Sequence, residues 1–306
     1  MSQMVDRQRH EGHPAAPCCS AYNPDPRVPQ LDLPPQSCDC HAHICGPVAT
    51  YAYAAERIYT PPDALLPAYL NMLETIGAQR SVLVQPSVYG TDNSVMLKAM
   101  EESTLPCRGV AVIDESTSDA DLERFHRSGI RGARFNLVDV SDPSGRIDLE
   151  AVRALAERVQ PLGWHAEFLI HADEYPALDK IFAHFPVDIV FGHLGYLRPP
   201  LAVENEGFQA LLRLLDAGRC WVKLTGPMRI SGGEMPYPDV TPIARALVGR
   251  APERLLWGSD WPHVKISKEM PNDGDLVDLL AEWIPDSDRR RQILVDNPDT
   301  LYGFTA

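Results

Sequence analysis

The sequence predicts an α/β fold, a closed (β/α)8 barrel of the TIM type, on three observations. Eight short apolar runs rich in β-branched residues recur along the chain. Stretches whose apolar residues have helical spacing lie between these runs, and this alternation indicates parallel strands joined by crossover helices. Residues 38–306 keep the pattern without a second linker, and a barrel of this type typically needs about 250 residues.

Each apolar run is a candidate strand. An open doubly wound sheet is the competing architecture, but no G-x-G-x-x-G motif follows the first run, so a dinucleotide fold would lack its phosphate loop. In chain order, the candidate strands are Cys38–His43, Arg80–Gln85, Gly109–Ile113, Gly132–Asn136, His165–Ile170, Asp188–Gly192, Cys220–Leu224 and Leu255–Gly258.

Four connecting segments are predicted as amphipathic helices. The first begins after the Pro-Pro-Asp sequence at 61–63, a typical helix start. In the second, apolar residues recur at helical spacing, and the other two behave similarly. The four predicted helices are Leu65–Ile76, Asp148–Pro161, Asp173–Phe185 and Phe208–Ala217.

The first 37 residues differ from the rest of the chain. They hold seven of the 28 prolines and show no sustained periodicity. We expect an extended or partly disordered arm that lies over the body or over a partner subunit, through which copies of the chain could form a homo-oligomer. The predicted organisation is therefore an arm over residues 1–37 and one catalytic barrel over residues 38–306.

Charge and composition exclude several functions. With 28 Lys+Arg against 42 Asp+Glu, the net charge is −14, so no electrostatic footprint for nucleic acid or an anionic membrane surface is expected. No stretch approaches the ~20 apolar residues that span a bilayer. The N-terminal segment lacks the apolar core of a secretory signal, and the seven cysteines are scattered, so we expect a reduced, cytoplasmic protein.

Candidate functional residues collect at the ends of the predicted strands, where barrels carry their chemistry. His41 and His43 are two residues apart in the first strand, so their side chains share a face. One histidine could be an ordinary core residue, but a set at one rim is hard to explain in that way. The rim set is His41, His43, His171, His193 and Asp260.

Several motifs in one collinear order then resemble a known family. The chain is similar to the amidohydrolase superfamily, specifically its amidohydrolase-2 branch, and within that branch to the 2-pyrone-4,6-dicarboxylate lactonases. The resemblance spans residues 37–306 and leaves out the proline-rich arm. The most specific matching motifs are DCHAHICGP (39–47), GIRGARFN (129–136) and LLWGSDWPH (255–263), supported by GHLG (192–195).

The resemblance implies roles for individual residues. Asp260 matches the general base of the superfamily, and the catalytic histidines are matched by His41, His43 and His193. Tyr59 matches a tyrosine that contacts substrate, and Arg134 and Arg229 match arginines that hold substrate carboxylates. From their positions near strand ends, Gln85 and Arg198 are further candidates for substrate contact.

This chain also departs from the lactonase pattern at three positions. Tyr196 and Val140 stand where those lactonases have arginines, and Leu169 stands where they have a tyrosine. We therefore expect a substrate with fewer or differently placed carboxylates.

The implied function is hydrolysis of a carboxylated lactone ring in aromatic or sugar-acid catabolism, with a small anionic lactone or carboxylate as the partner. The alternative is a metal-dependent decarboxylase or a lactone isomerase of the same branch. The metal question stays open between no required cofactor and one divalent ion, zinc or manganese. Candidate ligands for such an ion are His41, His43, His171, His193 and Asp260.

Overall fold

A computed structural model describes residues 16–138 and 148–304. Its eight strands form one sheet in the order of the sequence, and each strand pairs in parallel with the next. The predicted (β/α)8 barrel is confirmed. The strands are β1 (Cys38–Ala42), β2 (Arg80–Val84), β3 (Cys107–Ala111), β4 (Ile130–Asn136), β5 (His165–Leu169), β6 (Ile189–Phe191), β7 (Cys220–Leu224) and β8 (Leu255–Trp257).

Helices lie between the strands and after the last one. None of the helices in the described ranges is long and apolar enough to cross a bilayer. In chain order they are α1 (Leu66–Ile76), α2 (Ser94–Glu102), α3 (Asp119–Arg127), α4 (Leu149–Val159), α5 (Leu178–Ile181), α6 (Glu206–Asp216), α7 (Pro227–Ile230), α8 (Thr241–Arg250), α9 (Asp273–Trp283), α10 (Ser287–Arg291) and α11 (Asn297–Tyr302).

The predicted helix over Asp173–Phe185 is wrong in extent. Only α5, Leu178–Ile181, is α-helical within it. Tyr175 has φ −122° and ψ 76°, outside the helical region. It precedes Pro176, whose ring disfavours the α conformation of the residue before it. The other predicted helices match α1, α4 and α6 to within a few residues.

The barrel closes through the segment that follows β8 rather than through β8 alone. The backbone N–H of His43 donates to the carbonyl of Trp261 at 2.8 Å, and the N–H of Asp260 donates to the carbonyl of His41 at 2.8 Å. The closing hydrogen bonds therefore set Asp260 directly beside His41, in β1, and His43, which follows that strand.

Gly258 permits this close approach of the two chain segments. A Cβ atom at Gly258 would lie 2.6 Å from Cβ of His41 and 2.7 Å from its backbone nitrogen. We expect Gly258→Ala to lower the free energy of unfolding by about 1–3 kcal/mol, the usual cost of overpacking. Gly249→Ala is the matched control, because nothing lies within 4 Å of its Cβ position in α8. Equal midpoints in urea unfolding for the two variants would contradict this reading.

The described part of the arm lies on the chain's own barrel. The N–H of Cys19 donates to the carbonyl of Thr60 at 2.9 Å. The ring of Tyr22 packs on Trp261 with centroids 4.7 Å apart, next to the barrel's C-terminal rim. Arg27 is anchored farther along, by ion pairs of 2.5 Å with both Asp275 and Asp278 of α9. Residues 1–15 lie outside the described residues, and contact of the arm with a second copy stays a prediction.

Candidate active site

The four residues predicted to be catalytic meet at the C-terminal rim of the barrel, and all are buried. The rings of His41 and His43 have centroids 5.0 Å apart, and those of His41 and His193 are 5.1 Å apart. Nε2 of His41 lies 3.9 Å from Oδ1 of Asp260. The ends of β1, β6 and β8 thus place three imidazoles and one carboxylate in a single cluster.

Three atoms of this cluster have no hydrogen-bond partner within the described part of the chain: Nε2 of His41, Nδ1 of His193 and Oδ1 of Asp260. A buried polar atom left unsatisfied costs about 1–3 kcal/mol. Natural proteins seldom keep several such atoms together without a use for them. Such a group of unsatisfied atoms is typical of a site that binds a group which is not part of the chain.

Backbone strain accompanies two of these residues. His193 has φ +50° and Asp260 has φ +69°, in the left-handed region that side chains other than glycine rarely adopt. Such conformations cost of order 1–3 kcal/mol and concentrate at functional sites. Gly226 provides the room for the His193 ring, because a Cβ at Gly226 would lie 2.4 Å from Nδ1 of His193.

Asp39 supports the cluster from below and was missed by the sequence analysis. Its Oδ1 accepts the N–H groups of His41 (3.1 Å) and Ser259 (2.8 Å). Its Oδ2 accepts the hydroxyls of Ser259 (2.6 Å) and Tyr69 (3.0 Å). This buried carboxylate ties β1 to the turn that carries Asp260. The available signal was its place two residues before His41, in line with the histidine pair.

Two further charged residues were not assigned a role from the sequence. Lys223 on β7 donates to Oε2 of Glu167 on β5 at 2.6 Å. Its ammonium also lies 3.3 Å from Nδ1 of His41. Burial opposes ionisation of Glu167, but the neighbouring Lys223 ammonium holds the pKa of this carboxyl well below its usual range. A charged pair thus lies directly against a predicted catalytic histidine.

The environment shifts the cluster toward neutral histidines and an ionised aspartate. Burial lowers the pKa of His41, His43 and His193, in the last case to about 3. The ammonium of Lys223 adds to the effect on His41, and Arg134 adds to the effect on His43. Burial alone would raise the pKa of Asp260, but Arg229 and the nearby imidazoles hold it below its usual range.

These shifts predict the pH dependence of the reaction. A histidine with a lowered pKa takes up a proton only below its ordinary value of 6.5, and an aspartate with a lowered pKa stays ionised at the same pH. We therefore expect kcat/KM to stay level from about pH 8 down past pH 6.5. A profile of initial rates at constant ionic strength measures this. A half-loss of kcat/KM close to pH 6.5 would contradict the neutral cluster.

Arg134 and Gln85 lie together in a cavity of about 280 Å³ beside the cluster. Nη1 of Arg134 donates to the backbone carbonyl of Gln85 at 2.5 Å. Oε1 of Gln85 has no hydrogen-bond partner among residues 16–138 and 148–304. Arg57 and Ser87 also line this cavity, which therefore offers two guanidinium groups and neutral polar groups to a ligand.

Arg229 lines a second cavity, of about 150 Å³, together with Tyr196, Lys265 and Lys268. Its Nε donates to Oδ2 of Asp260 at 2.6 Å, so the guanidinium holds the predicted base while its side chain faces the cavity. This cavity is rich in cationic side chains, as expected for a site that receives an anionic group.

Tyr59 contacts one lining residue of each cavity. Its hydroxyl accepts a hydrogen bond from Ser87 of the first cavity at 3.4 Å. Nζ of Lys265, from the second cavity, lies 5.7 Å from the centroid of its ring. A buried tyrosine in this position could pack against a flat substrate.

Arg198 lies apart from both cavities. Its side chain is 50% exposed and is bound by Asp173 at 2.9 Å and Glu174 at 2.6 Å. Its contact with substrate stays a prediction. Val140, which stands in place of a lactonase arginine, lies outside the described residues.

The side chains that suit a divalent ion form a smaller group than the sequence suggested. Within the described ranges, ligand atoms of His41, His43 and Asp260 lie within 4.8 Å of one another, and two nitrogens with one oxygen fit zinc or manganese. His43 donates from Nδ1 to the carbonyl of Val84 at 2.7 Å, which leaves its Nε2 lone pair available. The predicted ligands His171 and His193 are not in this group. Nδ1 of His171 donates to the carbonyl of Tyr196 at 2.8 Å, and its ring stacks on the ring of that tyrosine.

A closed parallel barrel with buried histidines and an aspartate at its C-terminal rim is the architecture of a (β/α)8-barrel enzyme. Residues 38–304 match the model of the amidohydrolase family, and the chain belongs to that family. The resemblance seen in the sequence is confirmed.

Similar proteins include lactone hydrolases and a lactone isomerase. The 2-pyrone-4,6-dicarboxylate hydrolase of Comamonas testosteroni is 36% identical over 288 residues, which cover 91% of this chain and 93% of that protein. The 4-sulfomuconolactone hydrolase of Rhizobium radiobacter is 38% identical over 273 residues, 89% of this chain and 91% of that protein. The D-galactarolactone isomerase of Agrobacterium fabrum is 31% identical over 253 residues, 80% of this chain and 84% of that protein.

A solved structure shows the same architecture. It is that of a probable 2-pyrone-4,6-dicarboxylic acid hydrolase from Acinetobacter baumannii with citric acid bound. The two chains superpose with a TM-score of 0.76 at 26% identity, over 88% of this chain and all of that one.

Proposed function

We propose that this protein hydrolyses a lactone that carries two anionic groups, in the cytoplasmic catabolism of aromatic or sugar-acid compounds, with Asp260 as the general base. The observation that carries the proposal is the position of the rim cluster beside two cavities that each contain an arginine, Arg134 in one and Arg229 in the other. The 2-pyrone-4,6-dicarboxylate hydrolase and the 4-sulfomuconolactone hydrolase described above are named for substrates with anionic groups.

The cavities would hold the two ends of the substrate. One anionic group enters the larger cavity and accepts hydrogen bonds from Arg134, and the other is received beside Arg229. Tyr59 then lies along the ring that joins the two groups. Holding both ends fixes the lactone carbonyl over the cluster, which converts the attack of water into an oriented step.

Asp260 is placed to activate water. One of its oxygens is held by Arg229, and the other, Oδ1, has no partner in the described part of the chain and faces the imidazole of His41. In the reaction Oδ1 takes a proton from water as the water oxygen adds to the lactone carbonyl. Collapse of the resulting tetrahedral centre breaks the ring C–O bond, and the leaving oxygen takes a proton back.

The histidines stabilise the charge that develops on the carbonyl oxygen. His41 and His193 each have one buried ring nitrogen with no hydrogen-bond partner among the described residues. Because their pKa values are lowered, they act as neutral donors rather than as imidazolium ions. One donor of this kind is typically worth about 3–4 kcal/mol of transition-state stabilisation.

The same residues could also hold a divalent ion through His41, His43 and Asp260. When bound there, zinc or manganese would polarise the lactone carbonyl as a Lewis acid. His43 contributes in either case, because its Nε2 lone pair is available as an acceptor for water or as a ligand.

A substrate panel tests the proposal. Protein treated with chelator and then assayed alone, with zinc or with manganese is given lactones that carry two, one or no anionic groups. We expect release of one acid equivalent per lactone, fastest for lactones with two anionic groups such as 4-sulfomuconolactone. No acid release from any lactone under any condition would reject hydrolysis.

Isomerisation is the second candidate, favoured by the relationship to a D-galactarolactone isomerase. The same panel separates the two reactions, because an isomerase consumes its lactone without releasing acid. A decarboxylase would instead release carbon dioxide, which a coupled assay detects.

A further inference from the structure

Lys223 and Glu167 form an ion pair inside the barrel, directly below the rim cluster. Lys223 is 0% exposed and Glu167 is 2% exposed, and their charged atoms are 2.6 Å apart. Nε2 of His165 lies 3.9 Å from the same carboxylate oxygen. The pair links β5 to β7 across the intervening strand β6.

Stability does not explain this ion pair. Removing two charges from water costs several kcal/mol per ion, and apolar replacements of a buried pair are often neutral or stabilising. A role in the candidate active site is therefore the better explanation. The second contact of the Lys223 ammonium indicates what that role is.

That contact is the ring of His41. Nζ of Lys223 lies 3.3 Å from Nδ1 of His41 with the geometry of a hydrogen bond. An ammonium group has only hydrogens to offer, so Nδ1 must be the acceptor. The proton of a neutral His41 then resides on Nε2, the atom that faces Oδ1 of Asp260 at 3.9 Å.

We propose that Lys223, held in place by Glu167, is a positioning residue that fixes His41 as its Nε2–H tautomer, so that His41 donates a hydrogen bond to the reacting centre. The nature of that centre rests on the proposed function. The tautomer of His41 does not, and it can be measured in the free protein.

The position of Glu167 shows what Lys223 prevents. Oε1 of Glu167 lies 3.4 Å from Nδ1 of His41. Without the ammonium, Nδ1 can carry the proton and donate it to this carboxylate, which leaves a lone pair on Nε2. A histidine backed by a carboxylate in this way is the common form of a metal-ligating histidine. Lys223 thus keeps His41 a donor and disfavours its use as a ligand.

Nitrogen-15 NMR of histidine-labelled protein tests the tautomer, with the His41 signals assigned by their loss in His41→Asn. We expect Nε2–H in the wild type and in Glu167→Gln, which retains the ammonium. In Lys223→Met, we expect conversion to Nδ1–H. Should the lone carboxylate prevent that variant from folding, Lys223→Met/Glu167→Leu removes both charges, and the Nε2–H population should still fall. Nδ1–H in the wild type, or an unchanged tautomer in the folded variants, would overturn the proposal.

Two further measurements distinguish a positioning role of Lys223 from a merely structural one. Lys223→Met should lower kcat about 10²-fold with little change in KM, because one donor to the developing oxyanion is lost. The same variant should bind zinc about tenfold more tightly than the wild type in chelator competition. Arg80→Met is the matched control, because this buried cation pairs with Asp299 and starts β2 at the other end of the barrel. Equal losses in both variants, or unchanged zinc affinity, would contradict positioning.

Failure of the proposed function leaves a different signature. A wild-type protein that hydrolyses no lactone would reject the reaction, while the NMR and zinc measurements would still decide the role of Lys223.

Discussion

Asp260→Asn is expected to lower kcat for lactone hydrolysis by about 10²–10⁴-fold, the usual contribution of a positioned general base. Asparagine has nearly the same shape and can still accept the hydrogen bond from Nε of Arg229 that the carboxylate accepts at 2.6 Å. It cannot take a proton from water. KM should therefore change much less than kcat, since the cavities that hold the substrate are left in place.

The control for this variant is Asp216→Asn, the same chemical change on α6, where the carboxylate pairs with Arg250 at the surface. Its kcat should equal that of the wild type. Thermal unfolding of both variants checks that the barrel remains intact. A kcat for Asp260→Asn within tenfold of the wild type would remove Asp260 as the base.

The barrel could be predicted from the sequence because each strand and helix has a pattern that is local in the chain. Each strand is a short run of β-branched residues, and each predicted strand overlaps an observed one. The structure of the segment after β5 was harder to predict. Its apolar spacing resembles a helix over residues 173–185, but Pro176 disfavours a helical Tyr175, and α5 spans only Leu178–Ile181. The spacing of apolar residues does not show how far a single proline shortens a helix that the spacing predicts.

Residues of the candidate site could be predicted when they end a strand, because the C-terminal rim of a barrel brings strand ends together. His41, His193 and Asp260 are of this kind. The residues behind them could not be predicted in the same way. Glu167 and Lys223 lie within strands, where a charged residue in a sequence gives no indication of which neighbour it meets across the barrel.

Arg134→Met is expected to raise KM for an anionic lactone by about 10–150-fold, which corresponds to the loss of a charge-assisted hydrogen bond worth roughly 1.5–3 kcal/mol. Arg134 is buried, and its Nη1 is already held by the carbonyl of Gln85 at 2.5 Å. The guanidinium is thus fixed in orientation before substrate arrives, and its remaining N–H groups can face the cavity.

Arg134→Lys separates charge from geometry. Lysine keeps the positive charge but lacks the planar pair of N–H groups, so it should recover only part of the lost affinity. The control is Arg213→Met, because this half-exposed arginine pairs with Asp179 on the outer helices. Lactones without anionic groups should show the same KM in all three variants and in the wild type. An equal rise in KM for charged and uncharged lactones would mean that Arg134 supports the shape of the cavity rather than binding the anion.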